Sequence, residues 1–376
     1  VSNQSRALQR RDYVLRRMSE NNFITKGEYV TAYLMPVTAR LNTASIELKA
    51  PYVSEMARAQ MEERFGSEAY TLGYDVFTTI DSKLQEAAQK SLKSNIEKYD
   101  IRHGYRGAEA KINYNELLNS DFEYDLEVSK KNISKYLKSF YDINSNIPAV
   151  VLNVDSKKIT VYSKDNQLLE INLNEILIKS QYYDVNYKKR IKDFKSILSI
   201  GDVVRVKKVN KRWFLSQIPN VNGALVSINS NSGAVSVLSG GYDFRISKFN
   251  RVTQAKRQPG SSFKPFIYSA ALNKKYTPAS IINDAPKVFK ENTVSGAWRP
   301  KNYGGKFFGP TRLRYGLAKS RNMISIRLLD SIGINYTLSY VKNFGIDAKK
   351  LPKDLTLALG SGEITPIKLA EAYAHF

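Results

Sequence analysis

The sequence predicts a multidomain α+β protein: a helical N-terminal segment, a small open β-barrel set into the middle of the chain, and a C-terminal domain of helices on a sheet. Three observations carry this expectation. The chain has 376 residues, more than one compact core usually holds. Short alternating strands fill the stretch from Pro148 to Ile218. On either side of it, apolar residues return at helical spacing.

Taken in order, ALQRRDYVLRRMS from Ala7 to Ser19 reads as a helix ended by Asn21-Asn22, with a second short helix after Thr25. Pro51 opens a helix through SEMARAQMEERF that Gly66 stops. YDVFTTI, Tyr74 to Ile80, reads as a strand, and Asp81 as the N-cap of the next helix. That helix carries Leu84, Ala87, Ala88, Leu92 and Ile96 as one apolar packing stripe. After Gly107 the composition turns to Asn, Asp, Lys and Tyr, with one helix at VSKKNISKYLKSF. Then come AVVLNV, KITVYS, LLEINL, GDVVRVKKV and RWFLSQI, separated by turns such as Asp155-Ser156 and Asp165-Asn166. Five short strands fit an open barrel of the oligonucleotide/oligosaccharide-binding type, and fit a β-sandwich fragment nearly as well. From Val221, GALVSIN and AVSVLSG form a hairpin across Ser230-Asn231-Ser232-Gly233. The remainder is helical, with apolar stretches at Phe266 to Leu272 and Met323 to Ile332.

Composition excludes several chemistries. No cysteine is present, which removes disulfides, thiolate nucleophiles and cysteine zinc sites. The only histidines are His103 and His375, and no G-x-S-x-G elbow exists. A Ser-His-Asp triad is therefore not expected, and any serine chemistry needs another base. The net charge of +23 suits polyanions or an anionic membrane face, and suits equally a plain lysine-rich surface. No 18-residue apolar window or signal-peptide core occurs, so a membrane anchor is expected to lie outside this chain.

The chemistry gathers at residues 257–265, RQPGSSFKP. Pro265 is tolerated only near a helix start, which places that start at Ser261 or Ser262. Residues three apart share a helix face, so the Ser261 hydroxyl and the Lys264 amine can meet. The apolar FIYSAAL that follows buries the helix. Desolvation and the helix dipole then disfavour the lysine cation, and a neutral amine is a base for the serine. The unpaired Ser261 amide is placed to donate to an oxyanion. S-x-x-K alone is a weak signal. A second element, Ser320-Arg321-Asn322, lies between GLAK and MISIRLL: Ser320 can relay a proton and Asn322 hold a substrate amide, unless the pair is only a helix cap.

S-x-x-K followed by S-x-N resembles the signature of penicillin-binding proteins and serine β-lactamases. FNRVTQAKRQPGSSFKPFIYSAAL, WRPKNYGGKFFGPTRLRYGLAKSRN and LALGSGEITPIKLAEAYA are similar to class A, bifunctional penicillin-binding proteins of the 1A type. RRDYVLRRMSENNFIT, APYVSEMARAQMEERFG and YDIRHGYRG agree, so the resemblance covers nearly the whole chain and is weakest between residues 108 and 200. It implies four parts: residues 1–50, the last helices of a glycosyltransferase domain; 51–107, a linker region; 108–220, an inserted OB-like domain; and 221–376, a transpeptidase domain with the serine β-lactamase-like fold. It implies that Ser261 is the acylated nucleophile, Lys264 its general base, Ser320 the proton shuttle and Asn322 the ligand of the substrate amide. The reaction implied is attack on D-Ala-D-Ala stem peptides of peptidoglycan, with β-lactams as covalent inhibitors, no cofactor and no metal. A lipid-linked precursor would serve the parent's glycosyltransferase, at the periplasmic face of a bacterial inner membrane. An outer-membrane activator or glycan contact through the OB-like domain is implied by analogy only.

The family's third motif, Lys-Thr/Ser-Gly, occurs nowhere in the 376 residues, and the acidic glycosyltransferase motifs are missing too. The chain thus reads as cut at both ends. A catalytically silent scaffold of the same fold is the rival from within the family. A basic nucleic-acid-binding module is the rival from outside it, although no RNP, KH or phosphate-loop signature is present. A β-lactamase is disfavoured by the long, mixed N-terminal architecture.

Overall fold

The computed structural model describes residues 4–36, 46–113, 126–177, 181–183, 188–290 and 297–376. The chain divides into two compact units, Val1–Lys49 and Ala50–Phe376. The first contains helices α1 (Gln4–Glu20) and α2 (Lys26–Leu34). α2 starts on a full capping box, in which Thr25 accepts from the Glu28 amide while the Glu28 carboxylate accepts from the Thr25 amide at 2.8 Å. Arg11 holds the end of α2 by donating to the Met35 and Tyr33 carbonyls.

In the second unit, α3 (Pro51–Phe65) has proline in its first turn and Gly66 at φ 59° beyond its last. Residues 74–80 depart from the strand expectation. They enter no ladder; only the Thr79 hydroxyl and the Asp81 amide reach a neighbouring strand, at the Val235 and Ser236 carbonyls. Two bonds do not fix a strand, and Phe77 is 93% exposed. α4 (Ser82–Ile101) is capped by Asp81 as expected, but its buried stripe is Gln85, Ala88, Ile96 and Asp100. Leu84 and Ala87 face solvent. The helix is turned by polar anchors: the Gln85 amide pairs with both backbone groups of Leu238, and Asp100 receives the Arg106 fork. Each polar group is buried only because it is matched.

The barrel is built from β1 (Ala110–Lys111), α5 (Leu126–Leu137), β2 (Asn146–Val154), β3 (Lys158–Ser163), β4 (Leu168–Asn172), the short pair β5 (Gln181–Tyr183) and β6 (Lys188–Arg190), β7 (Asp202–Val209) and β8 (Arg212–Ser216). All five strands expected from the alternation form, in the antiparallel order β1-β7-β2-β3-β4, with β8 on the β7 edge that β1 also uses. A parallel bridge from Ile176 to Leu215 joins the segment after β4 to β8. That closure makes a barrel and sets aside the sandwich alternative. Ile159, Val161, Ile171, Val206 and Leu215 fill its interior.

The C-terminal part opens on the hairpin β9 (Leu225–Ile228) and β10 (Val235–Ser239), with Gly233 at φ 71° in its turn. α3 and α4 pack on β10, and α10 (Pro366–Tyr373) packs on β9. Between hairpin and α10 run α6 (Lys264–Asn273), β11 (Ile281–Asp284), β12 (Phe289–Lys290), β13 (Ala297–Trp298), β14 (Gly309–Arg312), α7 (Leu313–Ala318), α8 (Asn322–Ile332) and α9 (Ile334–Tyr340). α6 and α8 lie side by side, and Phe266, Ile267, Ala270, Met323, Ile324 and Leu328 fill the core they share. Both helix starts therefore face one place, which positions the site.

Candidate active site

The Pro259-Gly260 turn does not lead straight into an α-helix, as the proline argument expects. A 3₁₀ turn, Gly260–Phe263, comes first, and α6 begins at Lys264. With three residues per turn, residues i and i+3 of a 3₁₀ helix eclipse, so Ser261 and Lys264 are stacked in line. Phe263, buried between them and packed on Phe266, anchors the turn in the core.

Lys264 is 1% exposed. Its ammonium donates to the Ser320 carbonyl at 2.7 Å, the Ser320 hydroxyl at 3.1 Å and the Asn322 Oδ1 at 2.8 Å. Burial lowers its pKa to about 8. Three acceptors match the three hydrogens of an ammonium, whereas a neutral amine has two and a lone pair. Loss of the proton therefore lets the Ser320 hydroxyl turn round and donate. Ser261 is exposed, and among the described residues neither its hydroxyl nor its amide makes a protein hydrogen bond. The structure thus brings Lys264, Ser320 and Asn322 into one bonded cluster and leaves Ser261 beside it, open to solvent.

Ser320 owes its place to an unusual helix ending. α7 closes in a Schellman motif: the Ser320 amide bonds the Leu317 carbonyl and the Arg321 amide bonds the Gly316 carbonyl. The residue between these bonds must be left-handed, a position that glycine normally takes. Here it is Ser320, at φ 51°. A side chain there costs about 1 kcal/mol. The strain turns the Ser320 carbonyl and hydroxyl together onto the amine.

Asn322 is the first residue of α8, and its amide orientation follows from its partners: Nδ2 donates to the Lys301 carbonyl at 3.0 Å, leaving Oδ1 for Lys264. The helix has no cap of its own. The buried Asn302, from the segment between β13 and β14, supplies one, its Oδ1 accepting from the amides of Asn322 (2.9 Å) and Met323 (3.2 Å). The Asn302 Nδ2 donates to Asp284 at 2.7 Å and to the Lys306 carbonyl at 3.0 Å. Asp284 is fully buried, with Arg321 at 3.9 Å from its other oxygen. Sequence reasoning missed Asn302 and Asp284. The only sign of either is an aspartate ending IIND and an asparagine within WRPKNYGG.

The serine turn is also pinned from downstream. Arg257 and Ile364 exchange both backbone bonds, the Gly260 amide donates to the Gly360 carbonyl at 3.2 Å, and Tyr373 donates to the Ser262 carbonyl at 2.6 Å. Gly360 has φ 68°, and a Cβ on it would collide with the Gly260 carbonyl. Gly360→Ala is therefore expected to destabilise the fold by about 1–3 kcal/mol, measured as a lower denaturant midpoint. A wild-type midpoint would refute the contact.

The model of the penicillin-binding protein OB-like domain matches residues 105–221, and that of the penicillin-binding protein transpeptidase domain matches residues 223–376. With the barrel and the serine-lysine cluster in those two stretches, the class is defined: the chain belongs to the penicillin-binding proteins. Within that class it is similar to the 1A type. It is 41% identical to penicillin-binding protein 1A of Vibrio cholerae, over 99% of this chain and 45% of that protein. It is 39% identical to penicillin-binding protein 1A of Pseudomonas aeruginosa, over 100% and 44%. The crystal structure of penicillin-binding protein 1A from Haemophilus influenzae superposes with a TM-score of 0.80 at 36% identity, over 99% of this chain and 52% of that one. The chain thus spans about half the length of these relatives.

Proposed function

We propose that the chain carries the acyl-transfer site of a peptidoglycan transpeptidase that cross-links stem peptides through a serine ester and is inhibited by β-lactams. Lys264 in its neutral form takes the proton of the Ser261 hydroxyl, and the Ser261 oxygen attacks the carbonyl of the D-Ala-D-Ala bond. The C–N bond breaks, and the leaving amine receives a proton through Ser320. An amine of a neighbouring stem peptide, or water in a carboxypeptidase reaction, then displaces the serine by the reverse path. A β-lactam carbonyl enters the same way, but its leaving amine stays tethered. Asn322 presents its remaining Nδ2 hydrogen to the acyl side-chain amide. Bonds from Lys264 to Ser261 are expected to form as substrate binds, since catalytic hydrogen bonds often tighten only then.

One observation carries this reading: an amine 1% exposed, with a pKa lowered to about 8, one 3₁₀ turn from a solvent-open serine. A lysine built for structure alone would be paired with a carboxylate, and none is within its bonds. The parent protein would add glycan polymerisation on a lipid-linked precursor, anchored at the periplasmic face of the inner membrane, with the OB-like domain free for an activator or glycan.

The test is mass spectrometry of the full gene product after benzylpenicillin. One adduct per chain is expected, on the peptide containing Ser261. No adduct, or one on another residue, would favour the silent-scaffold reading.

A further inference from the structure

We infer that Asn302 is a positioning residue for acylation: held by buried Asp284, it caps α8 from outside and thereby fixes the Asn322 side chain against Lys264.

The start of α8 has to be held in one place, because Asn322 must present Oδ1 to the amine while the strained Ser320 lies two residues before it. The first amides of a helix are orphans that need an acceptor. The N-cap residue, Arg321, supplies none. Asn302 fills that role across the chain, and it is 5% exposed with both ends of its amide engaged. Its neighbour Lys301 adds the carbonyl that sets the Asn322 flip. One segment therefore grips Asn322 twice, by main chain and by side chain. If the Asn302 side chain rotated, the amides of Asn322 and Met323 would lose their acceptor. Asp284 prevents rotation: its carboxylate accepts from Nδ2 and so forces Oδ1 toward the helix. The order of dependence runs from Asp284 to Asn302, to the start of α8, to Asn322, to Lys264.

For its rate arm the proposal rests on the acyl-transfer reading; its exchange arm does not. Full gene products carrying wild type, Asn302→Ala and Asn302→Asp are compared in two measurements. In amide hydrogen exchange, residues 322 and 323 are expected to exchange about tenfold faster or more in Asn302→Ala, as loss of a cap implies. Asn302→Asp keeps an acceptor but loses the Nδ2 donor and sets a second carboxylate against buried Asp284, so it should exchange as fast as Asn302→Ala; protection in Asn302→Asp would remove Asp284 from the order of dependence. In labelling by a fluorescent penicillin, Asn302→Ala and Asn302→Asp should both reach the wild-type end-point about 10- to 100-fold more slowly. A merely structural residue would lower the end-point, not the rate. Wild-type exchange or a wild-type rate in Asn302→Ala overturns the proposal, as does a loss confined to the end-point. If Asn302→Ala does not fold, Asn302→Ser, which leaves a gap over the same amides, takes its place with the same expectations. If the wild type takes no label, the acyl-transfer reading fails, and exchange alone decides whether Asn302 holds Asn322.

Discussion

Replacing Lys264 by methionine is expected to slow acylation of Ser261 by about 10²- to 10⁴-fold, the range that general bases contribute. Methionine keeps the length and fills the buried space, so packing around Phe263 and Phe266 survives and the loss isolates the amine. The pH dependence gives the sharper form. Only the neutral amine accepts a proton, and burial places its pKa near 8. The second-order acylation rate of the wild type should rise tenfold per pH unit below about 8 and level off above it. Lys264→Met should be flat across that range. Linkage has a definite sign as well. The folded pKa lies below the ordinary value of 10.5, so the unfolded chain binds more protons between the two. This group's contribution to stability therefore rises as pH goes from about 8 toward 10.5, and below 8 its burial costs about 3 kcal/mol. A pH–rate profile with its midpoint near an ordinary lysine value would remove the base from the mechanism.

Ser320→Gly is expected to move stability and activity in opposite directions. Glycine takes φ 51° without a Cβ penalty, so the Schellman motif relaxes and the unfolding free energy should rise by about 1 kcal/mol. The hydroxyl that Lys264 bonds, and that the proposed mechanism uses to carry the proton, is lost with the side chain, and acylation should fall by at least about 10²-fold. Calorimetry and penicillin labelling of one preparation read both. Ser320→Ala keeps the strain and loses the hydroxyl, so it should be as slow without being more stable. If Ser320→Gly were no more stable than Ser320→Ala, the strain argument would fail. Opposite movements would mark Ser320 as a residue kept at a cost to the helix end, the trade-off between stability and activity that strained sites show.

Much of this was legible in the sequence because it depends on neighbours along the chain. The helix after Thr25, Asp81 as an N-cap, Gly66 after α3 and the alternation in the barrel strands are local signals, and each appears as read. The burial of Lys264 was legible for a related reason, since the apolar helix after it leaves no polar face. The failures share one cause. Tyr74 to Ile80 alternates like a strand but finds no ladder. α4 is turned by Gln85 meeting Leu238, 153 residues away. Asn302 reaches α8 from 20 residues upstream. A polar side chain that satisfies a distant backbone leaves no periodicity to read. The missing bond between Ser261 and Lys264 belongs here too: spacing places two groups in line, but competing acceptors decide which bond forms.

The grip of Gly360, Ile364 and Tyr373 on the turn bearing Ser261 sets a timetable for biosynthesis. The Ser261 turn leaves the ribosome about a hundred residues before its clamps, since Tyr373 lies 111 residues beyond Ser262. At roughly 5–20 residues per second, that is roughly 5–20 s without them. A nascent chain released early would hold the hydroxyl and the amine but not the buttress that orients them. The geometry of the turn is thus set by residues translated about a hundred positions after it.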